Sequence, residues 1–70
     1  MQNRIVGKPE VNAILGKSTH EATKMLEQHG YTLRVINNNG TPLMSTMDLK
    51  LNRVNVFVEK DKISDIRDIG

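Results

Sequence analysis

No cysteine occurs in the seventy residues of this chain. Disulfide bridges and thiolate metal sites, the usual supports of domains this small, are therefore excluded. A chain of this length buries only about 60% of the surface that its unfolded form exposes. It has room for a single domain over residues 1–70, whose rigidity must come from packing and polar networks. Charge narrows the partners. Ten basic residues against eight acidic ones leave a net charge of +2, spread from Arg4 to Arg67 with no block of like sign. Tyr31 and Phe57 are the only aromatics, too few for a base-stacking platform, so no nucleic-acid partner is expected. No stretch approaches the roughly 18 apolar residues of a membrane span, and no membrane partner is expected either. Residues 1–9 lack the apolar centre of a signal peptide, so the chain either stays in the cell or is a mature form.

One helix is plainly written. Ser18-Thr19-His20-Glu21 is a capping box, in which each side chain satisfies a backbone N–H that the helix leaves orphaned. Ala22, Met25, Leu26 and His29 follow at i, i+3, i+4 and i+7, the stripe of an amphipathic helix. Gly30 suits the left-handed residue that closes it. The pattern predicts a helix over 19–29. Before it, Gly7 and Pro9 break regularity, so 1–13 reads as an extended arm that Val11, Ile14 and Leu15 dock onto a core.

Two strands are predicted, over 31–36 and 51–58. In the second, Val54, Val56 and Val58 share one face, while Arg53, Asn55 and Phe57 share the other. Glu59-Lys60-Asp61-Lys62 turns the chain, and Ile63, Ile66 and Ile69 space apolar contacts along a short C-terminal segment. The fold class is α+β, a single helix on a small mixed sheet.

Between the strands, residues 37–50 show no periodicity. Connections this long in a compact domain are usually functional or disordered. Pro42, Leu43, Met44 and Met47 have little prospect of a local core there, which favours a loop presented to a partner. A β-hairpin turning at Asn39-Gly40, with residues 43–48 as its second arm, is the competing reading, and a floppy insertion is the third. Pro42 weighs against the hairpin, because proline cannot donate to a ladder.

Residues that carry catalysis are not brought together by these patterns. His20 and His29 do not share the i, i+3 or i+4 spacing of a helical metal pair, so no metal and no cofactor is expected. His29 reads as a helix-end cation or a stripe residue. Gly16-Lys17-Ser18 matches only the tail of a phosphate-binding loop, since Val11 stands where its first glycine belongs. Ser18 is spent as a cap. The chain is expected not to be an enzyme.

Two stretches resemble the potato inhibitor I family of serine-protease inhibitors. They are Leu15-Gly16-Lys17-Ser18 with Glu21-Ala22, and Thr46-Met47-Asp48-Leu49-Lys50-Leu51-Asn52-Arg53-Val54-Asn55-Val56-Phe57. The stretch Gly30-Tyr31-Thr32-Leu33-Arg34-Val35 is closer to the bacterial branch of that family. The resemblance implies a helix packed on a small sheet, with a reactive loop that enters a subtilisin- or chymotrypsin-like active site as a poor substrate. It implies a loop of Met44, Ser45, Thr46, Met47, Asp48 and Leu49, with Met47 before the scissile bond. It further implies that Arg53 holds the loop through Thr46 and Asp48 and reaches the end of the chain at Gly70.

Two departures stand out. Asn55 replaces a second supporting arginine and contributes no charge. Residues 40–47 are longer than the matching loop of eglin-like members, the extra length falling within 41–45, which leaves Met44-Ser45 as an alternative scissile bond. An uncharged, unbranched Met47 fits an apolar pocket and not one with an aspartate at its base. The expected partner is such a protease, met by a monomer. A module of the same fold that binds another protein, or a relative inactivated by its longer loop, are the alternatives.

Overall fold

Proline sets the first element. The computed structural model describes Ile5, residues 7–43 and residues 50–70. Pro9 opens a single helical turn, α1 (Pro9–Asn12), at a position where its missing N–H costs nothing. The arm expected over 1–13 is thus helical in its last third rather than extended. Val11 and Ile14 are wholly buried. The Asn12 side chain secures what precedes: Ile5 N donates to its Oδ1 at 2.7 Å, and its Nδ2 donates to Ile5 O at 2.9 Å.

Helix α2 (Thr19–Glu27) begins where the capping box places it, with Glu21 N donating to Ser18 Oγ at 3.2 Å. It ends two residues before the expected His29. Gly30 N donates to Glu27 O at 3.1 Å and Tyr31 N to Leu26 O at 2.9 Å. With Gly30 at φ +79, this is a Schellman closure, which satisfies the last carbonyls at the cost of a left-handed residue. Ala22 and Leu26 are fully buried, whereas His29 lies on the surface.

Four strands follow: β1 (Thr32–Asn38), β2 (Thr41–Pro42), β3 (Arg53–Glu59) and β4 (Lys62–Ile69). They form one mixed sheet in the order β2-β1-β3-β4, with β1 parallel to β3 and the outer pairs antiparallel. Val54, Val56 and Val58 face the helix and close the core with Val11, Ile14, Ala22, Leu26, Ile63 and Ile66. The Cα radius of gyration is 11.0 Å, matching the roughly 11 Å expected of a single folded domain of this length.

Hairpin β1–β2 corrects the reading of 37–50 as one open loop. Asn39 (φ 52) and Gly40 (φ 83) both adopt left-handed backbone, the signature of a two-residue type I′ turn. Pro42 does not prevent it. Asn38 faces Thr41 and Asn37 faces Pro42, and the next ladder bond runs from Leu43 N to Ile36 O at 3.0 Å. Antiparallel pairs alternate between bonded and non-bonded, and proline occupies a non-bonded one, where no N–H is required.

The spacing of Ile63, Ile66 and Ile69 also has an explanation that periodicity alone hides. They lie opposite Val58, Val56 and Val54, so three residues of β4 span what two of β3 span. Ser64 and Arg67 are the extra residues of two β-bulges, which keep an every-third pattern on one face of a strand. Ser64 Oγ donates to Phe57 O at 3.2 Å across the first bulge. The outer edge of β4 is covered at its start, with Gly16 N donating to Ile63 O and Ile63 N to Lys17 O, both at 2.8 Å.

The β3–β4 turn is strained by comparison with the first. Lys60 (φ 52) and Asp61 (φ 64) occupy left-handed backbone without a glycine. Asp61→Gly is expected to raise stability by about 0.5–1 kcal/mol, relief of strain exceeding the added freedom of the unfolded chain. Urea unfolding measures this, and a loss of stability would exclude a left-handed Asp61.

Candidate functional site

The face of the sheet away from the helix is polar at one end. Arg53 and Asn55 alternate with the core valines of β3 and therefore point there, yet they are buried, at 8% and 6% exposure. Burial of such groups is tolerated only when they are bonded. The bonds are made as follows. Arg53 Nε donates to the Gly70 main-chain oxygen at 3.2 Å, and Asn55 Nδ2 donates to the same oxygen at 3.0 Å. Asn55 Nδ2 also donates to Asp68 Oδ1 at 2.7 Å, while Asn55 Oδ1 accepts from Arg34 Nε at 3.3 Å. Main-chain bonding joins the same partners, with Gly70 N donating to Arg53 O at 2.8 Å.

A cross-strand row results, running Arg34, Asn55, Asp68 across β1, β3 and β4, with Arg53 and Gly70 beside it. It lies where β3 begins. Three residues before Arg53 stands Lys50, the first described residue after 44–49. Asn52 O accepts from Thr32 N at 2.8 Å, and Asn52 Nδ2 donates to Gly30 O at 3.4 Å. The C-terminal root of the 44–49 segment is therefore bonded to Gly30 beyond α2, to β1 and, through Arg53, to Gly70 beyond β4. Its N-terminal root, Leu43, is bonded to β1 through the hairpin.

Met44, Ser45, Thr46, Met47, Asp48 and Leu49 lie outside the described residues, as do any bonds from Arg53 to Thr46 or Asp48. Of the support residues expected from the sequence, Arg53, Asn55 and Gly70 come together in one network. Arg34 and Asp68 belong to it and were missed. Arg34 could have been found, because it alternates with inward Leu33 and Val35. Asp68 could not, because its place opposite Asn55 depends on the bulge at Arg67. Arg67 in turn sits 3.7 Å from Asp68 Oδ2, an exposed pair of little energetic weight.

Two large apolar side chains flank the segment in the open, Leu43 at 43% exposure and Leu51 at 85%. At the other end of β3, a shallow depression of about 320 Å³ lies among Asn37, Gly40, Phe57, Ser64 and Asp65. His20 is exposed on α2. Among the described residues, no group of three or more His, Asp or Glu is placed to hold a metal ion. No helix described is long and apolar enough to cross a membrane.

No family model and no curated protein matches this chain. The arrangement must therefore be read from its own chemistry. Arg34, the buried Asn55 amide and the Asp68 carboxylate tie three strands together at the foot of one connection, with buried Arg53 bonded beside them to Gly70. Such a network fixes the strand ends that it joins.

Proposed function

We propose that this chain is a substrate-like inhibitor of subtilisin- or chymotrypsin-type serine proteases, acting by binding rather than by catalysis. Residues 44–49 would be the reactive loop and Met47-Asp48 its scissile bond. The observation that carries this reading is the buried Arg53–Asn55–Gly70 network at the root of that segment. An inhibitor of this kind needs a loop ordered before it docks, since ordering then costs little affinity. With no disulfide to impose that order, anchorage at both roots must do so. The hairpin supplies one anchor and the arginine network the other. The resemblance of residues 46–57 to the inhibitor family points the same way.

The test is titration of active-site-calibrated subtilisin and chymotrypsin with the pure protein, any cut being located by mass spectrometry. Stoichiometric inhibition with slow cleavage after Met47 is the expected result; a cut after Met44 would shift the register. Rapid cleavage with no inhibition would overturn the reading and leave the fold serving another protein partner. Arg53→Ala is expected to weaken inhibition by about 10–100-fold, the worth of hydrogen bonds from a charged donor, and to speed cleavage. A variant cut as slowly as the parent would remove Arg53 from any bracing role.

A further inference from the structure

We propose that Asn39 is a self-modifying site, at which the chain converts an asparagine to aspartate and isoaspartate and thereby unlocks one end of its sheet. The proposal stands apart from the inhibitor reading and rests on the turn alone. Asn39 and Gly40 are both exposed. A Cβ added at Gly40 would meet nothing within 4 Å, so no other part of the fold crowds the turn there. Among the described residues the Gly40 N–H has no acceptor. Lys60 N donates to Asn39 Oδ1 at 2.8 Å, which draws electrons from Cγ and makes it the better electrophile. Asn39 Nδ2, the leaving group, has no partner among the described residues.

The chemistry needs no co-reactant except water. When the turn opens far enough to swing the Gly40 nitrogen round to Asn39 Cγ, that nitrogen loses its proton and attacks it. As the new N–Cγ bond forms, the Cγ–Nδ2 bond breaks and ammonia departs with that proton. Water then opens the cyclic imide. Addition at Cγ gives aspartate; addition at the main-chain carbonyl gives isoaspartate, whose backbone is longer by one methylene. The net change is amide plus water to acid plus ammonia. Because the nitrogen must deprotonate first, the rate rises with pH.

Lengthening the backbone matters because of what the residue holds. Asn39 N donates to Val58 O at 2.8 Å, and Asn39 Oδ1 accepts from Lys60 N, so one residue stitches the β1–β2 turn to the β3–β4 turn. A two-residue type I′ loop fixes the register of its strands. An added methylene breaks that register, frees Lys60 N and releases the pairing of Thr41 and Pro42 that anchors Leu43. Aspartate at the same position retains an oxygen for Lys60 and leaves the turn intact.

The purified chain is incubated at neutral and mildly alkaline pH, with and without urea, and mapped by peptide mass spectrometry and an isoaspartate methyltransferase assay. In the native chain Asn39 is expected to convert about tenfold or more faster than Asn12, Asn37, Asn38, Asn52 or Asn55, since only a following glycine leaves its nitrogen so open. The isoaspartyl form should lose hydrogen-exchange protection at the Lys60 amide, whereas Asn39→Asp should keep it. Native Asn39 that stays intact while the urea-unfolded chain converts would overturn the proposal. So would conversion spread evenly over the asparagines, or an isoaspartyl form with Lys60 still protected.

Discussion

Met47→Lys is expected to weaken inhibition of subtilisin and chymotrypsin by about 30–1000-fold, the range of a lost interface hot spot. Trypsin inhibition should improve in the same variant. The sign follows from the pockets. An apolar slot gains from a desolvated thioether and loses heavily from an ammonium, which gives up its hydration without a partner. Trypsin offers a carboxylate at the base of the same pocket, and the ammonium pairs with it. The far-ultraviolet spectrum and unfolding midpoint should stay at parental values. Inhibition constants unchanged for all three enzymes would remove Met47 from the pocket. The same result with Met44→Lys responding instead would move the reactive bond to Met44-Ser45.

Leu26→Ala is expected to cost about 2–5 kcal/mol, the usual penalty for emptying a leucine site in a packed core. Leu26 is wholly buried between helix and sheet, together with Ala22, Val54, Val56 and Ile66. Against it stands a total stability of only about 4–10 kcal/mol, from 0.05–0.15 kcal/mol per residue. The variant should therefore lose at least about 10 °C in Tm, or fail to fold cooperatively. Chemical unfolding followed by circular dichroism measures it. Met25→Ala, at a partly buried neighbour on the same helix, should lose less. A loss below about 1 kcal/mol for Leu26→Ala, no larger than that of an average substitution, would mean that α2 does not rest on the sheet through this residue.

What the sequence discloses depends on whether a signal is local. The start of α2 is local: Ser18 and Glu21 bond within one turn, and the structure begins the helix there. Burial of alternate valines in β3 is local too, since the pleat alone sends Val54, Val56 and Val58 to one side. The hairpin at Asn39-Gly40 was visible in its turn residues, but Pro42 obscured it. Whether a missing N–H matters depends on which pair of the ladder the proline joins, and that is settled by register. β4 was obscured for a related reason. Ile63, Ile66 and Ile69 acquire a common face only because the bulges at Ser64 and Arg67 absorb one residue each. Bulges are answers to a partner strand, so β4 read alone does not contain them. The candidate site divides along the same line. Arg53 and Asn55 were legible from alternation in β3 and from family resemblance, whereas the Asp68 partnership exists only once the second bulge has set its register.

The parallel pairing of β1 with β3 has a consequence for what a single cut does to the molecule. Everything up to Leu43 carries α1, α2, β1 and β2; everything from Lys50 carries β3 and β4. Neither half owns the core. Val11, Ile14, Ala22 and Leu26 come from the first, and Val54, Val56, Val58, Ile63 and Ile66 from the second. The β1–β3 ladder and the helix–sheet packing both cross the divide. A break between them severs one covalent link but none of these contacts. The domain is in effect a heterodimer of two fragments that happen to be joined, each serving as template for the other.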